Sequence, residues 1–117
     1  MRALDDIRFI LVSHKNMVVD YEVKTDGNKC FIDVKVSYPR DHDAYEKLES
    51  IILQIQCHII HELQIYKSIS FACKVTLFES DITWQKEFYM NEQNTLRVIS
   101  HVHPFFLKFD DIIKHLT

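Results

Sequence analysis

Residues 17 to 38 alternate apolar and polar side chains with a period of two, interrupted once by the stretch TDGN. In MVVDYEVK, Met17, Val19, Tyr21 and Val23 fall on one face, and Asp20, Glu22 and Lys24 on the other. After the interruption, Cys30, Ile32, Val34, Val36 and Tyr38 form a second apolar set. A period of two is the β signature, and Asp26-Gly27 suits a type I′ hairpin turn, in which both central residues take positive φ. That turn puts Val23 opposite Cys30, Tyr21 opposite Ile32 and Val19 opposite Val34. On the other face it puts Asp20 opposite Asp33. A slip of one residue would set tyrosine against aspartate, so the pairing is strongly specified. The chain is therefore built on an antiparallel hairpin whose apolar face needs a cover.

The cover follows in sequence. Pro39 ends the second strand of the hairpin, Asp43 is placed to cap a helix, and Glu46 stands at the capping-box distance. From there to about Ser68 there is neither Gly nor Pro. At roughly 100° per residue, Tyr45, Leu48, Ile52, Ile55, Ile59, Leu63 and Tyr66 make one stripe. Ile51, Leu53 and Ile60 widen it to about 200° of arc, more than one sheet covers. A second element, either a C-terminal helix or another copy of the chain, is expected beside it.

Elsewhere the reading is β. IRFILVS (7–13) reads as a strand that is apolar on both faces. SFACKVTLFE (70–79), ITWQKEFYM (82–90) and TLRVISHV (95–102) read as three more. Pro104 then suits the first turn of a final helix with Phe105, Phe109, Ile112 and Leu116 inward. The expected fold is α+β: a six-stranded, mainly antiparallel sheet in βββα-βββα order, with one long and one short C-terminal helix on one face. At 117 residues, 1–117 reads as a single domain.

Gly27 is the only glycine. A P-loop, a dinucleotide fingerprint and a nucleophile elbow each need several, because their backbones approach phosphate closely or turn through positive φ. All three are excluded. The 14 basic residues are scattered, and the net charge of −3 leaves no basic stripe for nucleic acid. No apolar run reaches the roughly 20 residues of a membrane span. Cys30, Cys57 and Cys73 contain no CxxC pair, which points to a reducing, cytoplasmic setting.

Four features bear on chemistry. CHIIHE (57–62) resembles a zinc-protease helix, but its order is HxxHE rather than HExxH or HxxEH. On the wheel His61 lies about 180° and His58 about 240° from Ile52, on the solvent side. His101 and His103, in SHVHP, project from one strand face about 7 Å apart, a spacing that suits two imidazoles on one ion. If Met90 pairs with Leu96, Gln85 and Thr83 face these histidines and Glu87 is their one candidate third ligand. A divalent metal there is the one cofactor the sequence allows. Gln56 and Lys86 fall among inward positions. Gln56 is expected to bond a backbone edge, and Lys86 to mark an edge strand.

The polar face of the hairpin is acidic, and Asp20, Glu22, Phe31, Asp33, Glu87 and Tyr89 make up a candidate partner-binding surface, with Phe78 and Ile99 also looking outward. This favours a non-enzymatic protein-binding module, with a toxin-neutralising inhibitor of the immunity type as its model and a basic protein as its partner. A small metal-dependent or acid–base enzyme using His101 and His103 is one alternative. A homodimeric chaperone-like or structural subunit, paired through the broad helix, is the other.

Overall fold

Leu4, Ile7 and Leu11 recur at three- and four-residue spacing near the start of the chain, and Ala3 and Ile10 fall on the same side. In the computed structural model, which describes residues 2–107, this segment is a helix, α1 (Arg2–Ser13), with those five residues buried. It replaces the strand expected at 7–13. From Ile7 onward only Arg8 and Ser13 interrupt the apolar run, too few to show a period. The turn that carries Ala3 and Leu4 is what makes it helical.

The hairpin forms from β1 (Val18–Asp26) and β2 (Lys29–Val36). Its pairing differs from the expected one by two residues: Val23 lies opposite Ile32, Tyr21 opposite Val34 and Asp26 opposite Lys29. The central turn residues are thus Gly27 and Asn28. Only Gly27 has positive φ, at 60°. Glycine first with an ordinary residue second is the type II′ pattern rather than I′. A shift of two preserves parity, so Tyr21 and Val23 still share the face of Val34 and Ile32. It does change the charge pairs: Asp20 lies opposite Lys35, and Glu22, not Asp20, opposite Asp33. A bulge between Val18 and Asp20 buries Val18 and exposes Val19.

Helix α2 (His42–Ile65) starts two residues earlier than its sequence signal implied. Asp41, not Asp43, is the cap, its carboxylate accepting from the Ala44 amide at 2.8 Å. Leu48, Ile52, Ile55, Ile59 and Leu63 are buried as the stripe required. After it come β3 (Ser70–Leu77), β4 (Thr83–Met90) and β5 (Leu96–Val102), and then a single 3-10 turn, η1 (Pro104–Phe106). Phe109, Ile112 and Leu116 of the expected final helix lie outside the described residues.

The sheet therefore has five strands, in the order β1-β2-β3-β4-β5. It is mixed: β2 and β3 run parallel, and the other three pairs are antiparallel. Two parallel neighbours cannot be joined by a tight turn, so the chain crosses between them through α2. Element order is αββαβββ rather than a doubled βββα. One core joins Leu4, Ile7 and Leu11 of α1 to the inward faces of α2, β2, β3 and β4. Ile51, on the broad flank of α2, is buried, and α1 supplies the second cover that the wide arc demanded. No helix among the described residues is long and apolar enough to cross a membrane.

At Gly27 an added Cβ would meet nothing within 4 Å. Gly27→Ala should therefore lower stability by about 1 kcal/mol through backbone strain alone. Ile55→Ala, at a site with no solvent exposure, should lower it by roughly 2–5 kcal/mol. Urea denaturation checks both, and a Gly27→Ala protein as stable as the parent would rule out the positive-φ turn.

Candidate functional site

Both helices cover the same face of the sheet, so among the described residues the opposite face is open. Alternation decides what stands on it. One row across the strands reads Glu22, Asp33, Lys74, Gln85 and His101. The next reads Lys24, Phe31, Ala72, Glu87 and Ile99. A third joins Lys29 of β2, Ser70, Tyr89 and Arg97. A fourth row reads Asp20, Lys35, Thr76 and Thr83, so all six candidate partner-binding residues, Asp20, Glu22, Phe31, Asp33, Glu87 and Tyr89, lie on one continuous surface.

The charge on that surface is mixed, not acidic. Lys24, Lys29, Lys35 and Lys74 alternate with the carboxylates. Lys24 Nζ lies 3.4 Å from Glu22 Oε1, and Lys29 Nζ lies 3.1 Å from Glu87 Oε1. The second pair reaches from β2 to β4 across β3, where the small side chain of Ala72 leaves room. Glu22 and Asp33 are a like-charge pair, relieved by Lys24 on one side and by Lys74 beside Asp33 on the other. Lys24 and Lys29 also place their ammonium groups 5.7 and 5.3 Å from the centre of the Phe31 ring. Cation–π contacts at such distances hold a ring in place. The result is a depression of about 300 Å³, with Ala72 at its floor and Phe31, Lys29 and Glu87 around it.

The two histidines of SHVHP are both exposed. β4 and β5 pair as the sequence implied: Met90 lies opposite Leu96 and Gln85 opposite His101, while the His103 amide donates to the Thr83 carbonyl at 3.2 Å. However, β5 ends at Val102, and His103 caps the 3-10 turn, its Nδ1 accepting from the Phe105 amide at 3.1 Å. Glu87 stands opposite Ile99 and is bound to Lys29. Among the described residues no three His, Cys, Asp or Glu side chains come together as a metal cluster.

CHIIHE has two sides. Cys57 and His61 are exposed, as the wheel implied. His58 and Glu62 instead face α1: His58 Nδ1 lies 3.8 Å from Asp6 Oδ2, and Glu62 is buried. Sequence reading missed this because it took α1 for a strand. With α1 placed, Glu62 and Asp6 are the signal, two carboxylates at a helix crossing.

The inward polar residues also depart from expectation. Gln56 is buried, and neither its amide nitrogen nor its oxygen has a hydrogen-bond partner among the described residues, so it does not bond a backbone edge. Lys86 is buried on β4, which is an interior strand and not an edge. Its Nζ sits 5.3 Å from the Trp84 ring centre.

Comparison with protein-family models, curated proteins and solved structures gives no match to this chain.

Cys30 and Cys73 are buried and Cys57 is exposed, and none of the three is in a disulfide. Burial pushes the Cys73 thiol up, and burial followed by the Glu62 carboxylate pushes Cys30 up, each from an ordinary value of 9.0. Both thiols therefore hold their protons in the fold at pH values where an unfolded chain releases them. Their contribution to stability is complete below pH 9.0 and falls as pH rises above it. A thiol reagent should modify one cysteine, Cys57, in the native protein at neutral pH, and the other two only on unfolding. Rapid modification of all three in the folded protein would contradict the burial.

Proposed function

We propose that this chain is a non-enzymatic protein-binding module that holds its partner on the open face of the sheet. The observation that carries the reading is Phe31, half-buried beside Ala72 with two lysine ammonium groups over its ring, one of them fixed in turn by Glu87. A rigid aromatic at the centre of a patch, ringed by charges that exclude water once covered, is the usual make-up of an interface anchor. Tyr89, in the adjoining row, and Ile99, in the same row as Phe31, extend the apolar contact. The charges give register rather than bulk attraction, because both signs are present. The partner proposed is thus a protein with a protruding apolar side chain among mixed charges, not a uniformly basic one.

Neutralising a toxin, in the manner of an immunity protein, is the role proposed for such a module. It requires a small, stiff domain and a pre-formed surface, with no chemistry of its own. Three cysteines, none of them in a disulfide, accord with action in a reducing, cytoplasmic setting.

The test is affinity capture from the native cell extract with the parent protein, with Phe31→Ala and with Asp33→Lys. Neither position is buried, so both variants should keep the parent's circular dichroism and unfolding midpoint. The partner held by the parent should bind Phe31→Ala about tenfold or more weakly. Equal retention by all three proteins would remove the sheet face as the binding site.

A further inference from the structure

The helix layer carries a second feature, unrelated to the open face. The first turns of α1 and the last turns of α2 enclose a cavity of about 530 Å³, lined among others by Arg2, Asp6, His58, His61, Glu62 and Tyr66. Its size falls within the range of small-molecule sites. We propose that this cavity binds a small organic cation, an ammonium group carried on a short apolar body.

Glu62 sets the requirement. It retains only 4% of its surface exposed, and its Oε1 has no hydrogen-bond partner among the described residues. A carboxylate removed from water is destabilising unless a cation or several donors replace the lost hydration. Arg2 lines the same cavity but does not bond that oxygen. Glu62 lines the cavity, and a turn of its carboxylate about the last side-chain bond would bring the enclosed Oε1 to a ligand there. Asp6 adds a second, half-exposed carboxylate. Its 3.8 Å separation from His58 Nδ1 is too long for a hydrogen bond, so its acceptor capacity remains.

The donor set selects among cations. No three His, Cys, Asp or Glu side chains among the described residues converge as metal ligands do. Two carboxylates with no such convergence suit an ammonium, which takes hydrogen bonds one at a time and needs no closed coordination shell. The apolar part of the ligand has its own surface. Ile65 and Tyr66, 56% and 55% exposed, stand at the cavity wall where α2 ends. A tyrosine ring also attracts a cation over its face. Ala3, with its short side chain, leaves the α1 side open.

The experiment uses the intact chain and phenethylammonium chloride as probe, followed by amide chemical-shift titration and calorimetry. 2-Phenylethanol, with the same body and no charge, is the matched control, and zinc and magnesium chlorides are run in parallel. The ammonium should give saturable shifts confined to residues 2–6 and 58–66, and the alcohol should bind about tenfold or more weakly. Glu62→Gln should weaken the ammonium by a similar factor, while Glu87→Gln on the sheet face should not alter it. Should Glu62→Gln fail to fold, Asp6→Asn and the ammonium-to-alcohol ratio on the parent protein decide the matter. Absence of saturable shifts, equal binding of alcohol and ammonium, or undiminished binding by the folded acid-to-amide variant would each overturn the proposal. One-to-one uptake of either metal, displaced by the ammonium, would reassign the site to a metal ion.

Discussion

The parallel pairing of β2 with β3 governs the architecture. Parallel neighbours need a long connection, and here it is α2, whose 24 residues extend for about 36 Å. A helix of that length carrying one apolar stripe must lie flat against the strands it joins, and it fills one side of the sheet with Leu48, Ile52, Ile55, Ile59 and Leu63. The strands answer with Ile32, Val34, Phe71, Cys73, Val75 and Trp84, all essentially without solvent exposure. With α1 beside α2, the apolar demand of both layers is met on that side. The other side of the sheet receives no cover from the described residues, and its side chains are the charges and rings that a solvated surface tolerates.

Much of this was legible in the residues, and the reasons are specific. Alternation in β2, β3 and β4 reads directly because each strand is buried on one face only. The stripe of α2 reads because neither Gly nor Pro interrupts it, and the inward placement of Gln56 and Lys86 follows from the same periods. Failure came where periodicity is short or pairing is non-local. Helix α1 has few polar breaks after Ile7, so a window that omits Ala3 and Leu4 cannot distinguish helix from strand. The parallel pair is invisible to local pattern: β2 and β3 alternate as antiparallel strands would, and only the position of the crossover helix separates the two cases. The turn at Gly27-Asn28 also lay beyond a motif that scores Asp-Gly, although a two-residue shift preserved parity.

The candidate site divides along the same line. Which residues share the open face follows from parity, so Asp20, Glu22, Phe31, Asp33, Glu87 and Tyr89 were brought together from sequence alone. Which charges meet does not follow, because rows form between strands distant in sequence. Lys74 beside Asp33, and Lys29 reaching Glu87 over Ala72, turn an apparently acidic surface into an interlocked one of both signs. His103 shows the converse: two histidines at strand spacing invite a metal reading, yet Pro104 begins a 3-10 turn whose first amides need a cap, and the imidazole supplies it.

The two sides of the molecule therefore have different chemistry, a stiff mixed-charge sheet surface on one and a carboxylate-lined crossing between helices on the other. The sheet surface follows from the assignment of each strand position to inside or outside. Alanine substitution along β2, followed by chemical denaturation, measures that assignment most directly. Ile32→Ala, Val34→Ala and Val36→Ala should each lower stability by about 2 kcal/mol or more, and Asp33→Ala and Lys35→Ala should shift it by no more than about 0.5 kcal/mol. Losses of equal size at successive positions, or the larger losses at 33 and 35, would contradict the one-sided sheet and everything built on its open face.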